Sequence, residues 1–138
     1  MGQAAIFETR GNQDCHVILR GGKQPNYSAA DVDATCAVLK AAGLREQVMV
    51  DVSHANSSKQ HQRQITVAGY VAQQIAAGDA RITGLMIESH LQEGRQDIVP
   101  GQALQHGVSV TDACISLAQT VPVLQDLARA VRARRAGA

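Results

Sequence analysis

Three short apolar runs divide the chain, and a polar segment follows each of them. The runs are His16–Leu19, Gln47–Val52 and Ile82–Ile87, and they are rich in β-branched residues. Runs of this length and composition predict strands. Because apolar residues stand at consecutive positions instead of alternating with polar ones, we expect these strands to be buried on both faces. That burial is typical of a parallel sheet.

Helical periodicity fills the two segments between these runs. The first helix is predicted from about Ala29 to Ala42, with Ser28 as its N-terminal cap and Gly43 directly after it. The second is predicted from about Lys59 to Ala77. The residues expected to face the core are Val32, Cys36 and Leu39 in the first helix, and Ile65, Ala68, Ala72 and Ile75 in the second.

The C-terminal third predicts a loop followed by helices. The loop contains Gly94, Pro100, Gly101 and Gly107. A Thr at a helix N-terminus can accept a hydrogen bond from a free backbone N–H group. On this basis, Thr111 is expected to cap a short helix and Thr120 a last one. The inner stripe predicted for the last helix is Leu124, Leu127, Ala128 and Val131.

The alternation of strands and helices predicts an α/β protein with a parallel sheet, in one domain that spans residues 1–138. Three strand–helix units are too few to close a barrel. They suit either a short open sheet or part of a (β/α)₈ barrel.

Composition and charge narrow the function classes. Hydrophobic residues make up 45% of the chain, charged residues 18%, and the formal net charge is +1. These values are typical of a soluble globular protein and give no field that attracts nucleic acid or a membrane. The apolar runs are shorter than a membrane span, so a cytoplasmic location is expected. The three cysteines form no CxxC pair and are predicted to be buried free thiols.

Candidate chemistry lies where the strands end, because parallel α/β folds bind ligands at the carboxyl ends of their strands. His54 and Glu88 follow the second and third runs, and Asp112 follows Thr111. Each has a simpler interpretation alone: a hydrogen-bonded loop histidine, a solvated or ion-paired strand end, and a carboxylate at a helix N-terminus. Together, one imidazole and two carboxylates suit Mn²⁺, Fe²⁺ or Co²⁺ better than structural zinc.

The segment Arg20–Lys23 follows the first run and has the composition of an anion site. Its two glycines allow close backbone approach, and Arg20 offers a planar fork for a phosphate or carboxylate. The alternative is a tight turn whose cations, Arg20 and Lys23, are solvated.

Four stretches resemble the type I 3-deoxy-D-arabino-heptulosonate-7-phosphate (DAHP) synthases, in the order and at the spacing of that family. The resemblance covers nearly the whole chain, from about Ala5 to Arg135. The stretches are Cys15–Lys23 continued by Pro25–Ser28, Asp51–Gln60, Met86–Leu91 and Ser109–Ile115.

The resemblance implies a partial (β/α)₈ barrel, made of roughly the last three strand–helix units. It implies metal ligation by His54, Glu88 and Asp112, with Arg20 holding phosphoenolpyruvate and His54 beside the reacting atoms. It also implies that residues 1–14, with Ile6 and Phe7, are the remnant of a regulatory hairpin. The reaction implied is the condensation of phosphoenolpyruvate with erythrose 4-phosphate, the first step of aromatic amino-acid biosynthesis.

Other parts of the family pattern have no counterpart among these motifs. The family's fourth metal ligand is a cysteine, and Cys15, Cys36 and Cys114 do not lie in its motif. The segment that grips erythrose 4-phosphate also has no match. We therefore expect a C-terminal fragment or split subunit, inactive alone, that forms a homo-oligomer or pairs with an N-terminal chain. The alternative is a non-catalytic half-barrel that binds metal or a phosphorylated ligand, or that assembles with a full-length synthase.

Overall fold

The computed structural model describes residues 2, 4–12 and 14–137 and contains eight elements of regular structure. They are β1 (Val17–Leu19), α1 (Ala29–Ala41), β2 (Val48–Asp51), α2 (Arg63–Ala76), β3 (Ile82–Met86), β4 (Ser89–His90), β5 (Ile115–Ser116) and α3 (Leu117–Ala136). The three predicted strands and the first two predicted helices are therefore confirmed, with small shifts at their ends. None of the described helices is both long and apolar enough to cross a membrane.

The main sheet is parallel and has the strand order β1–β2–β3. Val17 pairs with Val48 and Leu19 with Val50 across the first two strands, and Asp51 pairs with Met86 across the second and third. The predicted α/β class with a parallel sheet is confirmed. Because the strands are parallel, the segments that follow them emerge at one edge of the sheet.

The core lies between this sheet and its helices and is built mainly from valine. Val48 and Val50 of β2, Val32 of α1 and Val67 and Val71 of α2 are almost completely buried. Aliphatic side chains take the place of the aromatic residues that contribute much to most cores, since only 2% of the chain is aromatic. The loops at the carboxyl edge extend from this core.

The prediction for the C-terminal helices is wrong in two places. Residues 111–114 contain no helix, and Cys114 forms a bridge with Gly94. α3 is capped by Ser116, whose Oγ accepts a hydrogen bond from the Gln119 N–H at 3.2 Å, while Ser116 N–H donates to Gln119 Oε1 at 2.7 Å. Thr120 lies inside the helix, because the chain already turns into it directly from β5.

The predicted inner stripes are partly wrong as well. Ile65 is 39% exposed and Leu124 is 52% exposed. α2 and α3 pack on each other, and this contact selects faces that bury Val67 and Val71 in α2 and Val123 in α3. The stripe predicted for α1 is confirmed, since Val32, Cys36 and Leu39 are all buried.

The regulatory-hairpin remnant expected in residues 1–14 stays a prediction, and residues 1, 3 and 13 lie outside the described residues. Ile6 and Phe7 are almost fully exposed. Cys36 and Cys114 are buried free thiols as predicted, but Cys15 is exposed, which corrects the prediction for that residue.

Candidate metal centre

Three side chains that are far apart in the sequence meet at the carboxyl edge of the sheet. One potential ligand atom from each of His54, Glu88 and Asp112 can be chosen so that all lie within 4.8 Å of one another. His54 follows β2, Glu88 follows β3, and Asp112 lies in the loop before β5. His54 and Glu88 are half-buried and Asp112 is exposed, so the cluster is open to solvent on one side.

The donor set and its surroundings fit a divalent cation. His54 Nε2 lies 3.7 Å from Glu88 Oε1, a separation that leaves room for an ion between them. The three residues line a small cavity together with Ser57, Lys59 and His61. His61 Nε2 is buried and has no hydrogen-bond partner among the described residues, which is consistent with a polar occupant of this cavity.

The buried carboxylate of Asp51 lies directly behind His54. Asp51 is the last residue of β2 and is completely buried. Its Oδ2 lies 2.6 Å from His54 Nδ1, and its Oδ1 accepts a hydrogen bond from the Ser53 N–H at 2.8 Å. His54 is therefore bonded to a carboxylate, not to backbone as its simpler interpretation assumed.

Glu88 is held from two sides. The Ser53 hydroxyl donates a short hydrogen bond to Glu88 Oε2. Buried Gln64 of α2 bonds the Glu88 backbone through both ends of its amide. These contacts hold the Glu88 carboxylate near His54.

The loop between β2 and α2 adopts an unusual backbone shape. His54, Ser58 and Lys59 have positive φ angles of 45°, 54° and 59°. Such angles are uncommon for residues other than glycine and persist only where surrounding contacts hold them. Buried Asn56 supplies several of these contacts, since its side-chain amide donates to the backbone oxygens of Leu19 and Asp51 and its oxygen accepts from Asn26 N–H.

The Arg20–Lys23 turn reaches the same edge. Arg20 Nε lies 3.9 Å from Asp51 Oδ2, and the Arg20 side chain is 60% exposed. Gly21 has a φ of 76° and its N–H donates to Asn26 Oδ1 at 2.7 Å. Lys23 is exposed, and no hydrogen bond or ion pair within the described part of the chain joins it to His54, Glu88 or Asp112. Arg20 thus lies near Asp51, the residue bonded to His54, whereas Lys23 has no such contact among the described residues.

Cys114 is the thiol near this edge. Burial raises the pKa of Cys114, the nearby Glu88 and Asp112 charges raise it further, and a hydrogen bond with Ser109 lowers it. The net direction is upward, which favours the neutral thiol.

Sequence reasoning did not identify the residues that support the cluster. Asp51, Ser53 and Gln64 hold His54 and Glu88, yet Asp51 and Ser53 entered the sequence analysis only as members of the stretch Asp51–Gln60. A glutamine next to the apolar face of an amphipathic helix was the one available signal for Gln64, which is fully buried.

Known proteins share this sequence and fold. The sequence profile of the DAHP synthetase I family matches residues 1–125. The phospho-2-dehydro-3-deoxyheptonate aldolase of Haemophilus influenzae is 55% identical over 135 residues, which cover 97% of this chain and 37% of that protein. The Phe-sensitive phospho-2-dehydro-3-deoxyheptonate aldolase of Escherichia coli K12 is 54% identical over 134 residues, covering 97% of this chain and 38% of that protein.

A solved structure gives the same result. The phospho-2-dehydro-3-deoxyheptonate aldolase of Francisella tularensis superposes with a TM-score of 0.89 at 48% identity, over 94% of this chain and 38% of that one. The chain thus spans a little over a third of the length of these relatives. The matched profile, the sequence identity and the shared fold agree, and the chain belongs to the DAHP synthetase I family.

Proposed function

We propose that this chain carries the metal-binding and phosphoenolpyruvate-binding edge of a DAHP synthase, which condenses phosphoenolpyruvate with erythrose 4-phosphate and releases phosphate. The observation that carries the proposal is the convergence of His54, Glu88 and Asp112, with ligand atoms within 4.8 Å of one another. All three lie in stretches that resemble the family's motifs.

In this proposal the three strands of the main sheet are part of a (β/α)₈ barrel. Their parallel order and the position of the cluster at their carboxyl ends support it, because barrel enzymes bind substrate at that end. The likeness to the Francisella tularensis structure supports it as well.

His54, Glu88 and Asp112 would hold a divalent cation, which we propose to be Mn²⁺, Fe²⁺ or Co²⁺ because the donors are nitrogen and carboxylate oxygen. Such a cation supplies Lewis-acid polarisation of a carbonyl oxygen when it is bound. His54 would also lie beside the reacting atoms.

Arg20 would bind an anionic group of phosphoenolpyruvate. Its guanidinium is largely exposed at the same edge and can form two parallel hydrogen bonds to a phosphate or carboxylate. The Arg20 Nε atom lies 3.9 Å from Asp51 Oδ2, which places the guanidinium beside this buried carboxylate. Lys23 would add positive charge near the substrate path, a weaker contribution because it makes no contact with the cluster.

A second candidate is a non-catalytic half-barrel that binds metal or a phosphorylated ligand, or that assembles with a full-length synthase. The observation that favours it is the exposure of apolar side chains on β1, because Val17 and Ile18 are 37% and 44% exposed at an edge that another strand could cover. In either case we expect a homo-oligomer or a complex with a separate N-terminal chain.

Titration of the purified chain with Mn²⁺, followed by calorimetry and electron paramagnetic resonance, tests the metal centre. We expect saturable binding, weakened at least about tenfold by His54→Gln and by Asp112→Asn, since each removes a ligand. Asp97→Asn is the matched control, because Asp97 is exposed and pairs with Arg95. Equal binding by all four proteins would contradict the proposed centre.

A chimera tests the reaction. This chain would replace the matching 134 residues of the Escherichia coli Phe-sensitive relative. We expect the chimera to consume both substrates, Arg20→Lys to raise its KM for phosphoenolpyruvate, and the isolated chain to show little or no turnover. A folded chimera that binds Mn²⁺ but makes no product would favour the non-catalytic alternative.

A further inference from the structure

The Asp51 carboxylate is completely buried, and its contact with Arg20 does not compensate for the loss of water. It is completely inaccessible to solvent, and Arg20 Nε, 3.9 Å from Oδ2, is too distant for a hydrogen bond. A buried carboxylate is costly unless its oxygens accept hydrogen bonds. The two that the structure provides come from Ser53 N–H to Oδ1 and from the His54 ring to Oδ2.

The direction of the hydrogen bond to His54 depends on which ring nitrogen carries the hydrogen. A carboxylate without a proton can only accept, so it pairs with an imidazole that has its hydrogen on Nδ1. A neutral imidazole that carries its hydrogen on Nδ1 leaves the lone pair of Nε2 free. Nε2 is the atom that faces Glu88, with 3.7 Å between Nε2 and Oε1.

The backbone holds the ring in this position. The φ angle of 45° at His54 turns the chain sharply after β2, so that residues 51 and 54 face each other. The His54 carbonyl accepts hydrogen bonds from Lys59 N–H at 2.8 Å and from the Ser57 hydroxyl at 3.2 Å. These contacts keep the left-handed turn in place and limit rotation of the imidazole.

We infer that Asp51 is a positioning residue that holds His54 in the Nδ1–H tautomer and thereby directs the Nε2 lone pair toward the cluster with Glu88 and Asp112. A carboxylate behind a ligating histidine fixes both its tautomer and its orientation. The consequence for metal affinity rests on the proposed function, whereas the tautomer does not.

Asp51→Asn is a specific test because it keeps the size of the side chain. The asparagine oxygen would still accept from Ser53 N–H, so its NH₂ group would face His54 Nδ1 and donate to it. Nδ1 would then have to accept, which selects the Nε2–H tautomer. The reversed amide would place its NH₂ group against Ser53 N–H instead and lose that bond.

The measurement is ¹⁵N NMR of the metal-free chain labelled at histidine, at a pH where the imidazole is neutral, with His54 assigned from His54→Gln. We expect the Nδ1–H tautomer in the wild type and a shift toward Nε2–H in Asp51→Asn. Mn²⁺ affinity should fall about 10- to 100-fold in Asp51→Asn. The matched control, Asp97→Asn, should change neither.

An Nε2–H tautomer of His54 in the wild type would overturn the inference, and this result does not require any variant to fold. A folded Asp51→Asn protein that keeps the Nδ1–H tautomer, or that binds Mn²⁺ as tightly as the wild type, would also overturn it. A wild type that shows the Nδ1–H tautomer but binds no Mn²⁺ would refute the proposed metal centre instead. The two failures are therefore distinguishable.

Discussion

Gln64 and the backbone of Glu88 form a closed pair of hydrogen bonds. Gln64 Nε2 donates to the Glu88 carbonyl at 3.1 Å, and Glu88 N–H donates to Gln64 Oε1 at 2.8 Å. Gln64 lies at the start of α2 and is completely buried, so the pair is shielded from water. It attaches the segment after β3 to α2 and sets the point from which the Glu88 side chain extends.

Replacing Gln64 by leucine should both destabilise the fold and weaken metal binding. The Glu88 N–H would lose its partner, at a cost of about 1 to 3 kcal/mol in the free energy of unfolding, whereas the Glu88 carbonyl would keep its hydrogen bond from the Ile115 N–H. Urea unfolding followed by circular dichroism measures the loss. Gln73→Leu is the matched control, since Gln73 is exposed on the same helix. Equal stabilities for the two variants would contradict the role given to Gln64.

Gly21→Ala should be much more harmful than Gly22→Ala. A Cβ at residue 21 would lie 2.7 Å from the Ala55 Cβ and 3.0 Å from the Asn56 backbone nitrogen, and φ there is 76°. A Cβ at residue 22 would have no atom within 4 Å. We expect a loss of about 1 to 3 kcal/mol for Gly21→Ala from overpacking, with added backbone strain, and a change within about 0.5 kcal/mol for Gly22→Ala.

Gly21→Ala and Gly22→Ala should also differ in their effect on the proposed metal centre. The Ala55 and Asn56 backbone belongs to the loop that carries His54, so a shift there should also weaken Mn²⁺ binding in Gly21→Ala. Thermal unfolding and Mn²⁺ titration of both variants check this. Identical melting temperatures would show that the turn tolerates a side chain and that the close approach does not constrain the loop.

Asp79→Asn should lower stability at neutral pH but not in acid. Hydrogen bonds from the Arg81 side chain hold the pKa of Asp79 below its ordinary value of 3.8, which outweighs the opposite effect of burial. The stabilisation of the folded state by ionised Asp79 is therefore complete above about pH 4, which is near the ordinary pKa of aspartate in an unfolded chain. It is lost as the pH falls through the lower folded pKa, because the folded state then has to take up a proton.

We expect Asp79→Asn to cost about 1 kcal/mol at pH 7, and the difference from the wild type to shrink as the pH falls below about 4. Urea unfolding at a series of pH values measures it. Asp97→Asn should have little effect at any pH, because its pair with Arg95 is largely exposed. If the loss of unfolding free energy in Asp79→Asn became larger in acid, the ionised Asp79 carboxylate would not be the source of the stabilisation.

The three thiols should differ in reactivity. Cys15 is exposed, whereas Cys36 and Cys114 are buried and burial raises the pKa of both. Since the thiolate is the reactive form, Ellman's reagent should modify Cys15 quickly and the other two only after denaturation. Cys15→Ser should remove the fast phase. A fast phase that survives in this variant would show that a buried cysteine is accessible.

Local patterns were sufficient for much of the sheet and for α1. The length and β-branched content of the apolar runs predicted β1, β2 and β3. The expected burial on both faces is wrong for β1, where Val17 and Ile18 are exposed. Ser28 predicted the start of α1, where its Oγ accepts from Asp31 N–H and the Asp31 carboxylate accepts from Ser28 N–H. The family motifs singled out His54, Glu88 and Asp112. The parallel order of β2 and β3 brings His54 and Glu88 to one edge, whereas Asp112 reaches it from the loop before β5.

Where two nearby residues could equally well cap a helix or face the core, long-range contacts decided between them. Ser116 and Thr120 are both suitable caps, and the pairing of β4 with β5 places the chain so that the helix begins after Ser116. Ile65 and Val67 are both apolar, and the packing of α3 on α2 buries only Val67. A sequence pattern cannot separate such options, because the free-energy difference comes from residues far away along the chain.

The environment of the cluster depended on tertiary structure most strongly. Asp51 could be predicted as a polar residue at a strand end, but not as a completely buried acceptor for His54. That contact requires a positive φ at His54, which the local sequence does not predict. The conformation persists because Asn56, Ser57 and Lys59 hold the loop by hydrogen bonds. Composition and order along the chain specify which groups reach this edge, whereas their mutual orientation is set by hydrogen bonds that exist only after the loop has folded against the sheet.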